Sequence, residues 1–318
     1  MVPPPPIGKP RGLLRAEPVA GSFVHERHPP APDIAAFVEH FWVVAWEIPG
    51  EPVIREVLSH PSVHIVFERR CSRIVGVPRG RFTRRLEGTG LVVGIKFHPG
   101  AFRPIAGFPI ARLTDRSVPL ADVFASNDAE NAASEATESA ADVAANVAAN
   151  VAADVIERRV LAPATMAGRI AAATSFLRDH LPAPDPVAGH AAAIVKRILD
   201  DREIRKVDDL ARIVGDSPRA LQRLFQDYVG VSPKWVIRRY RLHDALERVD
   251  AGNVVDWPTL ALELGYFDQA HFSKDFKRLV GRTPTGYAIG SPTRPRPRAT
   301  AQVAQASRRP RAAPRSLG

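Results

Sequence analysis

Cysteine is nearly missing. A single one, Cys71, stands in 318 residues, which excludes an intramolecular disulfide framework and fits a reducing compartment. We read it as a small residue in or near a strand, not as a redox-sensing thiol. No apolar h-region follows the start MVPPPPIGKPRG, and no unbroken apolar run approaches the length of a membrane span. The expectation is a soluble cytoplasmic protein. Acids are absent from Ser291 to Gly318, where seven arginines mix with proline and alanine. Lysine and arginine are absent from Ala121 to Glu157, which holds eight acids.

What is present points to two domains. The chain has room for both, and 45% hydrophobic content suffices for real cores. A net charge of +10 and a pI near 10.3 favour polyanionic partners. The proline-rich residues 1–19 and the arginine- and proline-rich residues 291–318 are expected to be disordered tails, too poor in apolar surface to offset the entropy of ordering. Residues 20–120 read as a β-rich domain. FWVVAWEI, HIVFE and LVVGIKF are β-branched and aromatic runs set between Gly, Pro and charged turns. A short helix over Ile34 to Val38 is expected before them. Residues 121–190 read as a helical linker that opens with an acidic alanine-rich insert. In that insert Val143, Val147, Val151 and Val155 make one helical ridge. Further helices are expected over Thr165–Leu181 and His190–Asp201.

Residues 191–290 carry a repeat. DDLARIV packs through Leu210, Ala211 and Val214 and stops at Gly215. Ser217 then caps a second helix with Pro218 at its first position. Leu221, Leu224, Phe225 and Tyr228 follow the i, i+3, i+4, i+7 rule, so Arg219, Gln222, Arg223 and Gln226 fall on the opposite face. Fifty residues on, TLALELGYFDQAHFSKDFKRLVG repeats the plan. Leu260, Ala261 and Leu264 lead to Gly265, then to a helix buried through Phe272, Phe276 and Leu279. Ala270, His271, Lys274 and Lys277 lie away from that seam, with Gln269 near the helix start at its edge. Phe267 is the one extra turn residue. Between the units, PKWVIRRYRLHDALERV is apolar on two sides, as in a sandwiched strut. Its Trp235, Leu242, Leu246 and Val249 form one strip, Val236 and Tyr240 another. Lys234, Arg238, Arg241 and Arg248 share a third face suited to phosphates.

The stretch Val207 to Tyr287 resembles the DNA-binding domain of the AraC/XylS family. The resemblance rests on LA-x3-G-x-S-x5-RLF-x4-G-x-SP, RYRL-x2-A and A-x3-GYFDQAHFSKDFK-x3-G-x-TP. It implies two recognition helices set into successive major grooves. Base contacts would come from Arg219, Gln222 and Arg223, and from Gln269, Ala270, His271 and Lys274. Of these, Ala270 offers only a methyl contact to thymine. Lys234, Arg238, Arg241, Arg248 and Lys277 would hold phosphates. The segments VEHFWVVAWEIP, EVLSHPSVHIVFE and GTGLVVGIKFHPGAFRP are similar to the sensor side of such regulators. They imply a cupin-like module for effector binding or dimerisation. The expected architecture is α+β: a β-rich N-terminal domain, a helical linker and an all-α C-terminal domain. Expected partners are double-stranded DNA, a small effector or a second copy, and RNA polymerase if the protein activates. No membrane, cofactor or metal is expected.

Sharper readings were weighed against these. His60, His64, Glu68 and His98 include metal-ligating types, but His60 to His64 spans a turn where an i, i+4 spacing fixes nothing. Ordinary polar or packing roles are favoured for them. GTGLVVG leads into a strand instead of opening a helix, so a phosphate loop is set aside for a turn followed by a strand. Membrane-surface amphipaths would not show the interior pattern of a packed helix-turn-helix. A DNA-repair methyl acceptor can reuse this module, yet RRCSRIV around Cys71 lacks an activating motif. No enzymatic activity is expected.

Overall fold

A computed structural model describes residues 12, 14, 21–124 and 153–289. The two expected tails, apart from residues 12 and 14, and the insert over 125–152 lie outside the described residues. Strands β1 (Ser22–His28), β2 (Val38–Val57), β3 (His64–Glu68), β4 (Arg73–Val75), β5 (Phe82–Phe97) and β6 (Ser117–Pro119) form one antiparallel sheet ordered β1-β2-β5-β3-β4-β6. Strand periodicity of two gives the sheet two different faces. Phe41, Val43, Ile65, Phe67, Ile74, Val93 and Ile95 point to one side and form a dry core. Register explains the grouping, since Phe41 and Ile65 both pair with Ile95, and Val43 and Phe67 both pair with Val93.

That core is closed by α1 (Arg103–Ala106) and α2 (Met166–His180). Helix α2, expected within a linker, instead inserts Ala173, Phe176 and Leu177 into the β-domain core, with the Phe176 ring 5.8 Å from Phe67. Helical residues 153–161 lead into it. There the buried carboxylate of Glu157 accepts from the amides of Arg70 (2.7 Å) and Ser72 (3.3 Å) and from the Ser72 hydroxyl (2.8 Å). It thereby pins the turn that carries the exposed Cys71. Two local expectations change. Residues 32–37 form successive turns, with Val38 N bonded to Ile34 O, and not a helix. Residues 88–94 run within β5: a Cβ at Gly90 would collide with the Trp46 indole, and one at Gly94 with that of Trp42. These glycines make room for rings, not for a tight turn.

The described residues that follow are mostly helical: α3 (Pro186–Asp200), α4 (Val207–Val214), α5 (Pro218–Leu224), α6 (Pro233–Asp250), α7 (Trp257–Glu263), α8 (Gln269–Val280) and α9 (Pro284–Ile289). Helix α6 separates two cores. Its Val236, Ile237 and Tyr240 join Ile194, Leu210, Leu221 and Phe225 on one side. Leu242, Ala245, Leu246 and Val249 join Trp257, Phe272 and Phe276 on the other. This is the sandwiched strut, except that Trp235 packs with the first core and not with Leu242. Val77 enters the first of these cores and Leu58 the second, so the sheet domain and the helical domain share apolar contacts. No helix among the described residues is long and apolar enough to cross a membrane.

Candidate nucleic-acid interface

Each recognition unit is built by the same local chemistry. Helix α4 ends at Gly215 in the left-handed region (φ 83°), where a side chain would be strained. The Ser217 hydroxyl then accepts from Ala220 N at 3.1 Å and Pro218 occupies the first turn of α5. Such a cap contributes about 1 kcal/mol. Leu221 and Phe225 are fully buried, while Arg219, Gln222, Arg223 and Gln226 are exposed. The helix continues as a π-turn over Phe225–Val229, closed by Gly230 N donating to Phe225 O at 2.7 Å. That last turn is held by the sheet domain: Arg103 bonds Asp227 at 2.8 Å, and the Thr114 hydroxyl donates to Gly230 O at 2.6 Å. The anchored end therefore lies opposite in sequence to the exposed reading end.

In the second unit Gly265 (φ 69°) ends the α7 segment, and the Asp268 carboxylate accepts from His271 N at 2.7 Å to start α8. Phe272 and Phe276 are buried, and Gln269, Ala270, His271, Lys274 and Lys277 are exposed. The turn is braced by Tyr266, whose hydroxyl donates to Asp275 at 2.9 Å. Burial and that carboxylate push the phenol up to about 12, so it stays a donor.

The strut departs from its expected phosphate face. Lys234 and Arg248 are exposed, as a phosphate contact requires. Arg241 is buried: its guanidinium donates to the Ile198 and Asp201 carbonyls and to Asp244 at 2.6 Å. It satisfies the orphan carbonyls at the end of α3, a structural duty that removes it from the phosphate set. Arg238 is also committed, donating to Leu264 O (2.8 Å) and Gly265 O (3.1 Å) with its guanidinium 4.6 Å from the Tyr266 ring. It ties the strut to the second turn. A helical wheel assigns faces but cannot say which neighbour covers a face, and here α3 and the α7 turn cover it.

Residues 210–288 match a family model described as a helix-turn-helix domain, and residues 26–119 match DUF6597, a domain of unknown function. Over 75 residues the chain is 39% identical to the HTH-type transcriptional regulator GlxA of Rhizobium meliloti, covering 24% of this chain and 23% of that one. It is 34% identical over 79 residues to the raffinose operon transcriptional regulatory protein RafR of Pediococcus pentosaceus (25% and 28% covered). With the HTH-type transcriptional activator AarP of Providencia stuartii it shares 28% over 117 residues (36% and 83%). The C-terminal domain is of the AraC/XylS type. The chain spans only about a quarter of the length of GlxA and RafR. Among solved structures, ToxT from Vibrio cholerae aligns over 84% of this chain and 97% of its own, at 11% identity and a TM-score of 0.31.

Attached to this AraC/XylS-type domain, the other face of the sheet lines a cleft of about 740 Å³. The side chains alternating with the dry core face it, among them Trp42, Val44, His64, Val66, Val92 and Lys96. His60, His64, Glu68 and His98, singled out in the sequence, all line it. Among the described residues, no group of three His, Cys, Asp or Glu side chains could hold a metal ion. The Trp42 indole donates to His64 Nδ1 at 3.0 Å, so the ring proton sits on Nε2. Burial, then the Lys96 charge, pulls His64 down to about 3. Burial and the nearby Arg27 bring His25 down to about 4. Burial pushes the Glu39 carboxyl up, but hydrogen bonds from His40 and Lys96 and the charge of Lys96 outweigh it and hold the group ionised. Sequence reasoning missed His25, Arg27, Glu39 and Lys96. Their signal was the polar member of each strand alternation, which alone does not distinguish solvent from a cleft.

Proposed function

We propose that the chain is a sequence-specific DNA-binding transcription regulator. It would set α5 and α8 into successive major grooves about 34 Å apart along the duplex. The observation that carries this reading is the pair of capped helices, each with a buried apolar face and an exposed polar one bearing Arg219, Gln222 and Arg223, or Gln269, His271 and Lys274. Arginine and the amide side chains pair bidentately with guanine and adenine edges in the major groove. Lys234, Arg248 and Lys277 would add phosphate contacts that position without specifying. The helix-turn-helix model and the regulators that resemble this stretch support the reading.

In this reading the protein works on the nucleoid and performs no chemistry of its own. The sheet domain would receive a small effector or a second copy, and RNA polymerase would be a partner if the protein activates. A methyl-acceptor enzyme needs an activated thiol near the flipped base. Cys71 instead sits in the exposed β3–β4 turn pinned by Glu157.

Selection from random duplex DNA with the full chain is the test. The expected product is a bipartite motif whose halves are separated by about one helical turn, 10–10.5 base pairs. An enriched single half-site, or no enrichment, would sink the two-groove reading.

A further inference from the structure

The two recognition units differ at their turns. Between Gly215 and the cap Ser217 stands one residue, Asp216, whose carboxylate lies 3.2 Å from His190 Nε2. Between Gly265 and the cap Asp268 stand two, Tyr266 and Phe267. An apolar residue just before an N-cap commonly packs against the fourth helical position, which here is Phe272. Tyr266 takes over that contact, with its ring 5.3 Å from Phe272 and its hydroxyl on Asp275. Tyr266 packs against the core that buries Phe272 and Phe276, whereas Phe267 is 93% exposed. The extra turn residue is thus a large apolar ring that the fold does not use.

Its position and chemistry fit one neighbour. The N-terminal end of a recognition helix is the part that meets base edges in a major groove, and Phe267 directly precedes that end of α8. Asp268, Gln269, Ala270 and His271, which follow it, are all exposed and continue the same surface. With three polar side chains among those four, this is not the broad apolar patch that a protein partner covers. A phenyl ring can neither pair with a phosphate nor hydrogen-bond a base edge. The apolar group that the major groove displays is the C5 methyl of thymine, which phenylalanine rings and alanine methyls both contact. Ala270, three residues on, is also exposed, and its side chain is equally unable to hydrogen-bond. The second unit therefore opens with two apolar side chains, where the first opens with Asp216 and Arg219.

We propose that Phe267 is a specificity-determining residue, packing its ring on a thymine methyl at the edge of the half-site under α8. The inference rests on the regulator reading above and adds to it a residue and a base chemistry. Sequence preference in this half-site then comes partly from methyl contact, in place of the strong donors that α5 carries.

The test uses the full chain and the duplex motif that random selection returns. Each thymine is replaced singly by deoxyuridine, which deletes the methyl and keeps the hydrogen-bonding edge. At one or two thymines of the α8 half-site, affinity should fall by about fourfold, the worth of one buried methyl. Phe267→Ser should bind the thymine duplex more weakly and should no longer distinguish thymine from deoxyuridine there. With cytosine at the same position, 5-methylation should strengthen binding in the unaltered chain and leave Phe267→Ser indifferent. The methyl scan itself needs no variant, and the exposed site should leave the thermal unfolding of Phe267→Ser as it was. A motif without any methyl-sensitive thymine under α8 overturns this proposal and leaves the regulator reading standing. So does a methyl dependence that survives in Phe267→Ser, which hands the contact to Ala270 or another side chain. Equal weakening of Phe267→Ser on every duplex places the ring on the sugar-phosphate backbone and also overturns the role. Full DNA binding with altered sedimentation assigns the ring to a protein contact, again against the proposal. No enrichment from random DNA overturns the regulator reading, and this inference with it.

Discussion

Arg239 of the strut helix donates to the main-chain carbonyl of Arg79, in a turn of the sheet domain, at 2.6 Å. The same guanidinium reaches Ser59 O (3.3 Å) and Gly80 O (3.4 Å) and lies 4.4 Å from the Trp235 ring. It is almost fully buried, and burial pulls its pKa down to about 10, so it remains charged at neutral pH. One side chain of the DNA-binding domain thus closes the carbonyls of two sheet-domain turns. Alongside it, His60 and His243 stack across the same boundary with centroids 4.4 Å apart.

Removing that fork strands three carbonyls and an aromatic face. Arg239→Ala should lower stability by about 1.5–3 kcal/mol, the usual range for hydrogen bonds to a charged group. Arg239→Lys should recover only part, because an ammonium cannot span the fork. Urea unfolding of both variants measures this, and an unperturbed midpoint in Arg239→Ala would remove the role.

Arg241 and Lys234 lie on one helix and should behave oppositely. Arg241→Met takes a donor from the α3 carbonyls and from Asp244, so stability should fall by about 1.5–3 kcal/mol. The salt dependence of DNA binding should stay as it was. Lys234→Ala should barely change stability, but should reduce the slope of log K against log salt by about 0.9, one released counterion's worth. Binding titrations between low and moderate salt decide the matter. A flattened slope in Arg241→Met with unchanged stability would return it to the phosphate set.

These contrasts mark what the residues disclosed by themselves. Ser217, Gly215 and the Leu221/Phe225 pair were legible because caps, left-handed turns and helical periodicity are local properties. HIVFE was legible as a strand for the same reason. The duties of Arg238 and Arg241 were not, since they depend on which carbonyls a distant segment brings within reach. Gly90 looked like part of a turn because sequence does not reveal an indole packed over a strand. The cleft was hidden most thoroughly. His25, Glu39, His64 and Lys96 are far apart in the chain, and only the β1-β2-β5-β3 order makes them neighbours.

Arg223 should carry sequence information. It is exposed on α5, one turn before the buried Phe225 face is closed by the π-turn. Arg223→Ala should cost about 1–3 kcal/mol at a selected site and relax preference at one or two base positions. Repeating the selection with the variant shows whether the motif blurs there. An unchanged motif and affinity would assign the base contact elsewhere on the helix.

The cleft histidines make stability depend on pH in a defined direction. His25 and His64 titrate near 4 and near 3 in the fold, against 6.5 for the free side chain, and burial shifts His40 the same way. Below about pH 6.5 the unfolded chain therefore binds protons that the native chain refuses, and each such proton costs about 1.4 kcal/mol per pH unit. Stability is full above 6.5 and is lost as pH falls toward the folded values. Protonation of Glu39, whose carboxyl is held low by His40 and Lys96, adds to the loss below its ordinary 4.5. Urea midpoints recorded from pH 7.5 to 5 should drop with a slope of about two protons or more taken up on unfolding. The His25→Asn/His64→Asn pair should flatten that slope, because two of the refused protons are then gone. A level profile in the unaltered chain would mean that these rings remain open to water, and the cleft floor would have to be far wetter than its packing against Trp42 and Val92 implies.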